Sequence, residues 1–450
     1  MTQSVRIGCG SAFSRDDKHK AVQMAEKGNV RYLCCDRLAE RTLAPATLKK
    51  NNDPSKGYNP RLEDWFRSVL PAVVENDVKI IGNFGAANPR AAGEQVAEIA
   101  AEIGYDSLSI AVVTGDQVKD LVKDRINADE MINIDKNQPI DIKGKIISAN
   151  AYIGSDPIVN ALEEDADIVI GGRISDLSLY VGPLRYEFGW SDLNPKKIAQ
   201  SCVIGHLLEC GTYATGGNLA CPGYVEVPEK DNIGFPLAEV DENGEAIITK
   251  PPETGGIVTE LSLTAQLCYE VHDPEYYITP DMIIDITTVK FDQIKENKVR
   301  VTGATPQGKP ENLKVLISST GGYKAEATIG WAGKDSLDKV NRTIEEIIKP
   351  EFEELEDRLN ALRIDRIGVD AIHGTQSPEL ECPPNEVRLR VAARTDSIDM
   401  AERVLDKVIH QIMTAPMGVG GVKSDIDTLV KLHPTLLNRD KIKTEVMFKK

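Results

Sequence analysis

The chain is short of the residues that would announce a common chemistry. Six histidines are spread over 450 residues, and the eight cysteines lie at 9, 34, 35, 202, 210, 221, 268 and 382. No two of them form a Cys-x-x-Cys pair, so neither a tight zinc knuckle nor a small disulfide framework is expected, and reduced thiols in a cytoplasm fit the usage. No run of about 18 apolar residues occurs, and the opening "MTQSVRIGCG" has no basic region followed by an apolar one, so neither a membrane span nor an export signal is expected. The Walker loop and the G-x-G-x-x-G fingerprint are missing, which counts against nicotinamide-dependent dehydrogenase chemistry. Positive charge is scarce too: 53 Lys and Arg stand against 70 Asp and Glu, a formal net charge of −17. A field of that sign repels phosphate backbones and anionic lipid, so nucleic acid and membrane partners are disfavoured. It leaves room for a local basic pocket that takes a small anion.

What is present is an ordinary globular composition, 41% hydrophobic and 27% charged, in a chain long enough for more than one core. Up to about residue 226, short apolar runs alternate with helical ones. "VRIGCGSAF", "VRYLCCDRLAE", "VKIIGNFGAANP", "LSIAVVTGD", "KIISANAYIG" and "DIVIGGRISD" read as strands, and "KHKAVQMAEKG" and "AAGEQVAEIAAEIG" as helices. Strands apolar on both faces and alternating with helices predict a parallel α/β sheet. Residues 227–335 change character: "PLAEVDENGEAIITK" carries an Asn-Gly hairpin signal, and "LKVLISSTGGYKAEATIGWAG" reads as an antiparallel pair around Gly-Gly. "SLDKVNRTIEEIIKPEFEELEDRLNAL" is helical with a break or kink at Pro350, and two strands, a helix, a Gly-rich turn and a last strand "TEVMF" follow. The expected architecture is an α/β ligand-binding domain over 1–226, a mainly antiparallel β module over 227–335 and a small α+β sandwich over 336–450.

Each predicted parallel strand ends in small polar residues, and in an open sheet those ends line one ligand-binding edge. This nominates Ser11, Ser14, Asn83, Gly85, Asn88, Asp116, Asp156, Arg173 and Asp176. Arg173 offers a bidentate fork for a carboxylate or phosphate, or else an internal pair with Asp176. Asn83, Gly85 and Asn88 precede a helix whose free amides suit an anion, or simply make a tight turn. "GHLLECGTYATGGN" sets His206 on one helical face with Glu209 and Cys210 and then runs into a polar turn with Asn218. A carboxylate beside an imidazole fixes one tautomer and raises its basicity, as a general base requires; a buried, merely hydrogen-bonded histidine is the structural alternative. His206, Glu209, Asp176 and Asp116 are therefore the catalytic candidates. His-x-x-Glu-Cys supplies too few ligands for zinc, so no metal site is assigned. Cys34 and Cys35 read as core residues, and Cys9 as a thiol without an activating charge.

The ordered motifs "IGCGSAFSRD", "YLCCDRLAERTL", "GYNPRLE", "GNFGAANP", "AVVTGD", "DIVIGGRISDLSLYVGPL", "GHLLECGTYATGGN", "YEVHDPEYYITPD" and "GGYKAEATIGW" resemble the acyclic terpene utilisation AtuA family. The resemblance implies a role in the breakdown of acids and acyl-CoA compounds. It also implies a ferredoxin-like module, met either as a small partner subunit or as a version of residues 360–450, and assembly into a homo-oligomer. Near the start the family pattern is G-x-G-A-G-F-S-G-D. Here Arg15 stands where glycine is usual, which weakens a backbone-only anion nest and adds a cation to the candidate binding residues.

Taken together these readings lead to a cytoplasmic catabolic enzyme acting on a small carboxylate or its CoA thioester by proton abstraction next to a carbonyl, in the manner of a hydratase. Arg15 or Arg173 would hold the acid group. The alternative is a non-catalytic subunit that binds or presents an acyl ligand. The cofactor is left open. Titrating the protein with NADH is expected to leave its near-ultraviolet spectrum unchanged; a saturable change would restore the dehydrogenase reading.

Overall fold

The computed structural model describes residues 4–127, 130–219, 221 and 223–449. The chain forms two compact units. The first takes in residues 1–141, 147–318 and 432–450, and the second 142–146 and 319–431.

The first unit is built on a ten-stranded mixed sheet. At its centre Ser4–Ser11, Tyr32–Cys35, Lys79–Gly82, Ile168–Ile170 and Ile110–Thr114 run parallel in that spatial order. Their side chains are buried almost throughout, as a parallel sheet covered on both faces requires. Leu33 and Cys35 face one core, where Trp65, Phe66 and Phe84 pack with ring centroids 4.9–5.0 Å apart. Cys34, one residue out of phase, points the other way, and its thiol lies 3.1 Å from the carbonyl of Leu179 in helix Ser178–Phe188. All three of the first cysteines, Cys9 included, are buried core thiols.

Antiparallel strands flank this centre. Leu237–Asp241 pairs with the first strand, and Ala246–Thr249, Lys298–Thr302 and Lys290–Lys295 continue outward. The turn after Asp241 is not the two-residue type I′ hairpin expected from Asn243-Gly244. The Asp241 carboxylate accepts the N–H groups of Asn243 and Glu245, and Gly244 takes φ +88° before the strand resumes. A side chain that captures two turn amides opens the loop by one residue into a bulged form. On the far side Glu445–Lys449 runs antiparallel to Ile110–Thr114, so the last strand of the chain completes the first unit's sheet. The strand Ile146–Ala151, expected within the parallel sheet, lies outside it and pairs instead with Asn312–Ala332.

In the second unit the chain runs strand, helix, strand, strand, helix, strand, with sheet order Ala361–Ile367, Glu386–Thr395, Asn312–Ala332, Val419–Asn438. That is the split β-α-β arrangement of ferredoxin-like folds. Ala325, Ala327, Ile329, Trp331, Val387, Leu389, Val391 and Ala393 form the core beneath the helices. Ser397 caps helix Ile398–Ile409 by accepting the N–H of Met400. Pro350 does not break the preceding helix. A π turn over Ile344–Ile348, in which Lys349 N–H reaches back to Ile344 C=O, absorbs it. The long strand Val419–Asn438 was not legible in the sequence, where glycines and charges read as a turn.

Gly321 and Gly322 do not turn the chain; both lie inside one 21-residue strand. A Cβ on Gly322, at φ +85°, would stand 2.4 Å from the carbonyl oxygen of Thr395 on the neighbouring strand. Gly322→Ala is therefore expected to lose about 1–3 kcal/mol of stability in urea denaturation. Gly420→Ala, whose Cβ would meet nothing within 4 Å, should be close to neutral. Equal effects would show that Gly322 is not held between the strands as described.

Candidate active site

The carboxyl ends of the parallel strands deliver the first half of the site. Asp36, Asn83, Asp116 and Arg173 each stand just beyond a strand, and hydrogen bonds knit them together. Asn83 donates its amide to Asp36 at 2.5 Å and accepts Arg37 N–H at 2.5 Å. Asp116 accepts the side-chain amide of Asn150 at 2.8 Å and the backbone N–H of Arg173 at 3.0 Å. Arg173 is 1% exposed. Its guanidinium donates to Leu38 C=O at 2.7 Å, to Ile174 C=O at 2.8 Å and to the Asp176 carboxylate, and it lies 4.6 Å from the Tyr152 ring centroid. Burial pushes the carboxyls of Asp36, Asp116 and Asp176 above the usual range, and the negative charge of Asp176 raises Asp36 further, while Arg173 pulls each of them back.

The second half comes from the end of helix Pro195–Glu209. His206 is 2% exposed, and both its ring nitrogens are engaged. Nε2 lies 3.2 Å from Leu267 C=O, which can only accept, so Nε2 carries a hydrogen; Nδ1 lies 3.0 Å from Glu209 Oε1. Burial raises the Glu209 carboxyl, the hydrogen bond and charge of His206 lower it, and the charges of Asp176 and Glu270 add to the rise. One proton is thus shared between Nδ1 and Oε1 in a nearly closed environment.

The two halves meet at a cavity of about 220 Å³, where Asp176, His206, Glu209, Glu270, Tyr277 and Lys314 are among the lining residues with Glu40 and Tyr152. The Tyr152 hydroxyl donates to Glu40, and Lys314 donates to Glu40 at 2.7 Å. Burial pushes Glu40 up, but these two bonds together with the charges of Lys314 and Arg173 outweigh it, so its carboxyl sits below the usual range. Tyr277 packs edge-on to the His206 ring, centroids 5.3 Å apart.

Of the residues nominated from the sequence, His206, Glu209 and Asp176 line this cavity. Arg173 stands directly behind Asp176, Asp116 behind the backbone of Arg173, and Asn83 behind Asp36. The others are elsewhere. The Ser11 hydroxyl donates to Phe13 C=O, and with Ser14 C=O it anchors buried Arg37. Arg15 and Asn218 are exposed. Gly85 N–H bonds Gly171 C=O at 2.9 Å, and Asn88 spends its amide on the carbonyls of Pro54 and Lys56, so this stretch is a braced turn. Asp156 pairs with Arg185 at 2.5 Å in a different cavity. Glu40, Tyr152, Glu270, Tyr277 and Lys314 were not nominated. Glu40 and Tyr277 fall within motifs that carry the family likeness, whereas Lys314, in an alternating strand, gives no signal in the sequence. Among the described residues no group of three or more His, Cys, Asp or Glu side chains is placed to hold a metal ion, and no helix is long and apolar enough to cross a membrane.

A family model described as acyclic terpene utilisation family protein AtuA matches residues 5–448. No curated protein and no solved structure matches the chain.

The Asp36 carboxyl gives this geometry a pH signature. Its folded pKa is raised, so the stability it contributes is full below the unfolded value of about 3.9 and is lost as pH rises through the folded one. Asp36→Asn keeps an oxygen for Asn83 and Leu38 N–H but has no charge to bury. The melting temperature of the variant should therefore gain on that of the native chain as pH rises above about 4. A difference that does not change with pH would mean that Asp36 is not held in its neutral form.

Proposed function

Since the chain belongs to the acyclic terpene utilisation AtuA family, we propose that it is a catabolic enzyme acting on a small carboxylate or its CoA thioester, moving a proton next to the carbonyl with addition or loss of water. The observation that carries this reading is the pairing of two partly buried carboxyls on one cavity, Glu209 backed by His206 and Asp176 backed by Arg173. The charge of Asp176 raises the Glu209 carboxyl, which favours a state with Glu209 protonated and Asp176 ionised, the arrangement that acid–base chemistry needs.

Asp176, ion-paired to Arg173, is the member better held as an anion and serves as base. Glu209, sharing a proton with His206 Nδ1, serves as acid. In the dehydrating direction Asp176 takes the proton from the carbon next to the carbonyl, the bond to the hydroxyl oxygen breaks, and Glu209 supplies the proton with which that oxygen leaves as water. Hydration runs the same steps in reverse. The imidazole acts from behind, since both its nitrogens are occupied. The surplus of acidic residues favours a partner that is neither nucleic acid nor membrane, in a cytoplasmic setting. The topology of residues 319–431 supports reading that unit as the ferredoxin-like module of the family's longer members, in a homo-oligomer.

Glu209→Gln is expected to lower kcat by about 10²- to 10⁴-fold with little change in KM, in an assay that follows the ultraviolet absorbance of an α,β-unsaturated acid or thioester. His206→Ala should lower kcat as well while ligand affinity persists. The occupied imidazole favours a second reading, a ligand-binding subunit without turnover. Saturable binding of short-chain acids in thermal-shift titrations, with no conversion by the native chain, would select it.

A further inference from the structure

Neither arginine nominated to hold a ligand's acid group is free to do so. Arg15 is exposed and is not among the cavity's lining residues. Arg173 is buried with both terminal nitrogens committed, to Leu38 and Ile174 carbonyls and to Asp176. Building on the proposed reading, we infer that Lys314 is the specificity-determining residue that receives the carboxylate of a free acid, leaving the acid's α-carbon toward Asp176 and Glu209.

Three observations support this. Lys314 is the single Lys or Arg among the described residues that line the cavity. Its side chain is 40% exposed, so its charge is open to a ligand. Its ammonium has three N–H donors, and the 2.7 Å bond to Glu40 uses one. The position is also fixed. Glu40 is itself held by the Tyr152 hydroxyl, and the ammonium lies 5.0 Å from the centroid of the Tyr152 ring, which the Arg173 guanidinium approaches at 4.6 Å. A positively charged anchor on a wall that otherwise carries carboxyls discriminates strongly between an anion and its neutral analogue. The chemical class is therefore a short carboxylate in its free form, because a thioester brings no charge to this position.

The test uses the full chain with two probes, 3-methylbut-2-enoate and its primary amide, measured by calorimetric titration. The native chain should bind the acid at least tenfold more tightly than the amide. Lys314→Gln should weaken the acid at least tenfold and leave the amide unchanged, and Lys314→Arg should restore most of the loss. Far-ultraviolet circular dichroism checks that each variant is folded. An acid preference that survives in Lys314→Gln overturns the assignment of Lys314 while the cavity reading stands. Binding of neither probe by the native chain overturns both, and tighter binding of the corresponding CoA thioester than of the acid overturns the free-acid class.

Discussion

A guanidinium taken out of water must be matched by groups of the protein, and Arg173 sets that condition for the whole site. Removing such an ion from solvent costs several kcal/mol even after relaxation. Here two backbone carbonyls and the Asp176 carboxylate take up the two terminal nitrogens and the face of Tyr152 lies against the plane, while the buried Nε is left without a partner. Leu38 and Tyr152 stand at the exits of two other strands, whereas Ile174 and Asp176 belong to the arginine's own loop, so satisfying one cation fixes where three strand exits lie. Asp116 completes the arrangement from the other direction by holding the backbone N–H of Arg173 itself. The ring between the buried arginine and the half-exposed lysine separates a structural cation from one that faces the cavity.

The same constraint explains the pattern of protonation. Asp36, Asp116, Asp176 and Glu209 are all raised by burial, and one guanidinium cannot neutralise them all. The neutral forms are favoured within the fold, and the carboxyls nearest the cavity strike a balance between burial, which raises them, and the charges of Arg173 and His206, which lower them. Such a balance is costly for stability and useful for proton movement.

The alternation of apolar strands and helices was legible up to residue 226 because burial on both faces of a parallel sheet leaves continuous apolar runs, and "DIVIGGRISD" and "VKIIGNFGAANP" both show it. So was the partnership of His206 and Glu209, since i,i+3 spacing on a helix brings side chains together without help from the rest of the chain. Pairing partners were less legible. Ile146–Ala151 has the same apolar character as the parallel strands yet lies beside Asn312–Ala332, a choice made by tertiary contacts. Gly321-Gly322 reads as a turn because glycine permits one, but here its role is to leave room for a neighbouring carbonyl. Tyr152 and Lys314 were out of reach for a related reason: their value depends on what stands across the cavity, and a strand residue carries no mark of its neighbour on another strand.

The position of Glu445–Lys449 has a consequence for biogenesis. Ile110–Thr114 waits for a partner that the ribosome delivers only after some three hundred intervening residues have emerged. Domains generally fold as they are made, amino-terminal portions first, but this sheet keeps one hydrogen-bonding margin bare until Glu445–Lys449 has been made. Loss of Glu445–Lys449 therefore strikes a sheet begun by amino-terminal strands, far away in the sequence.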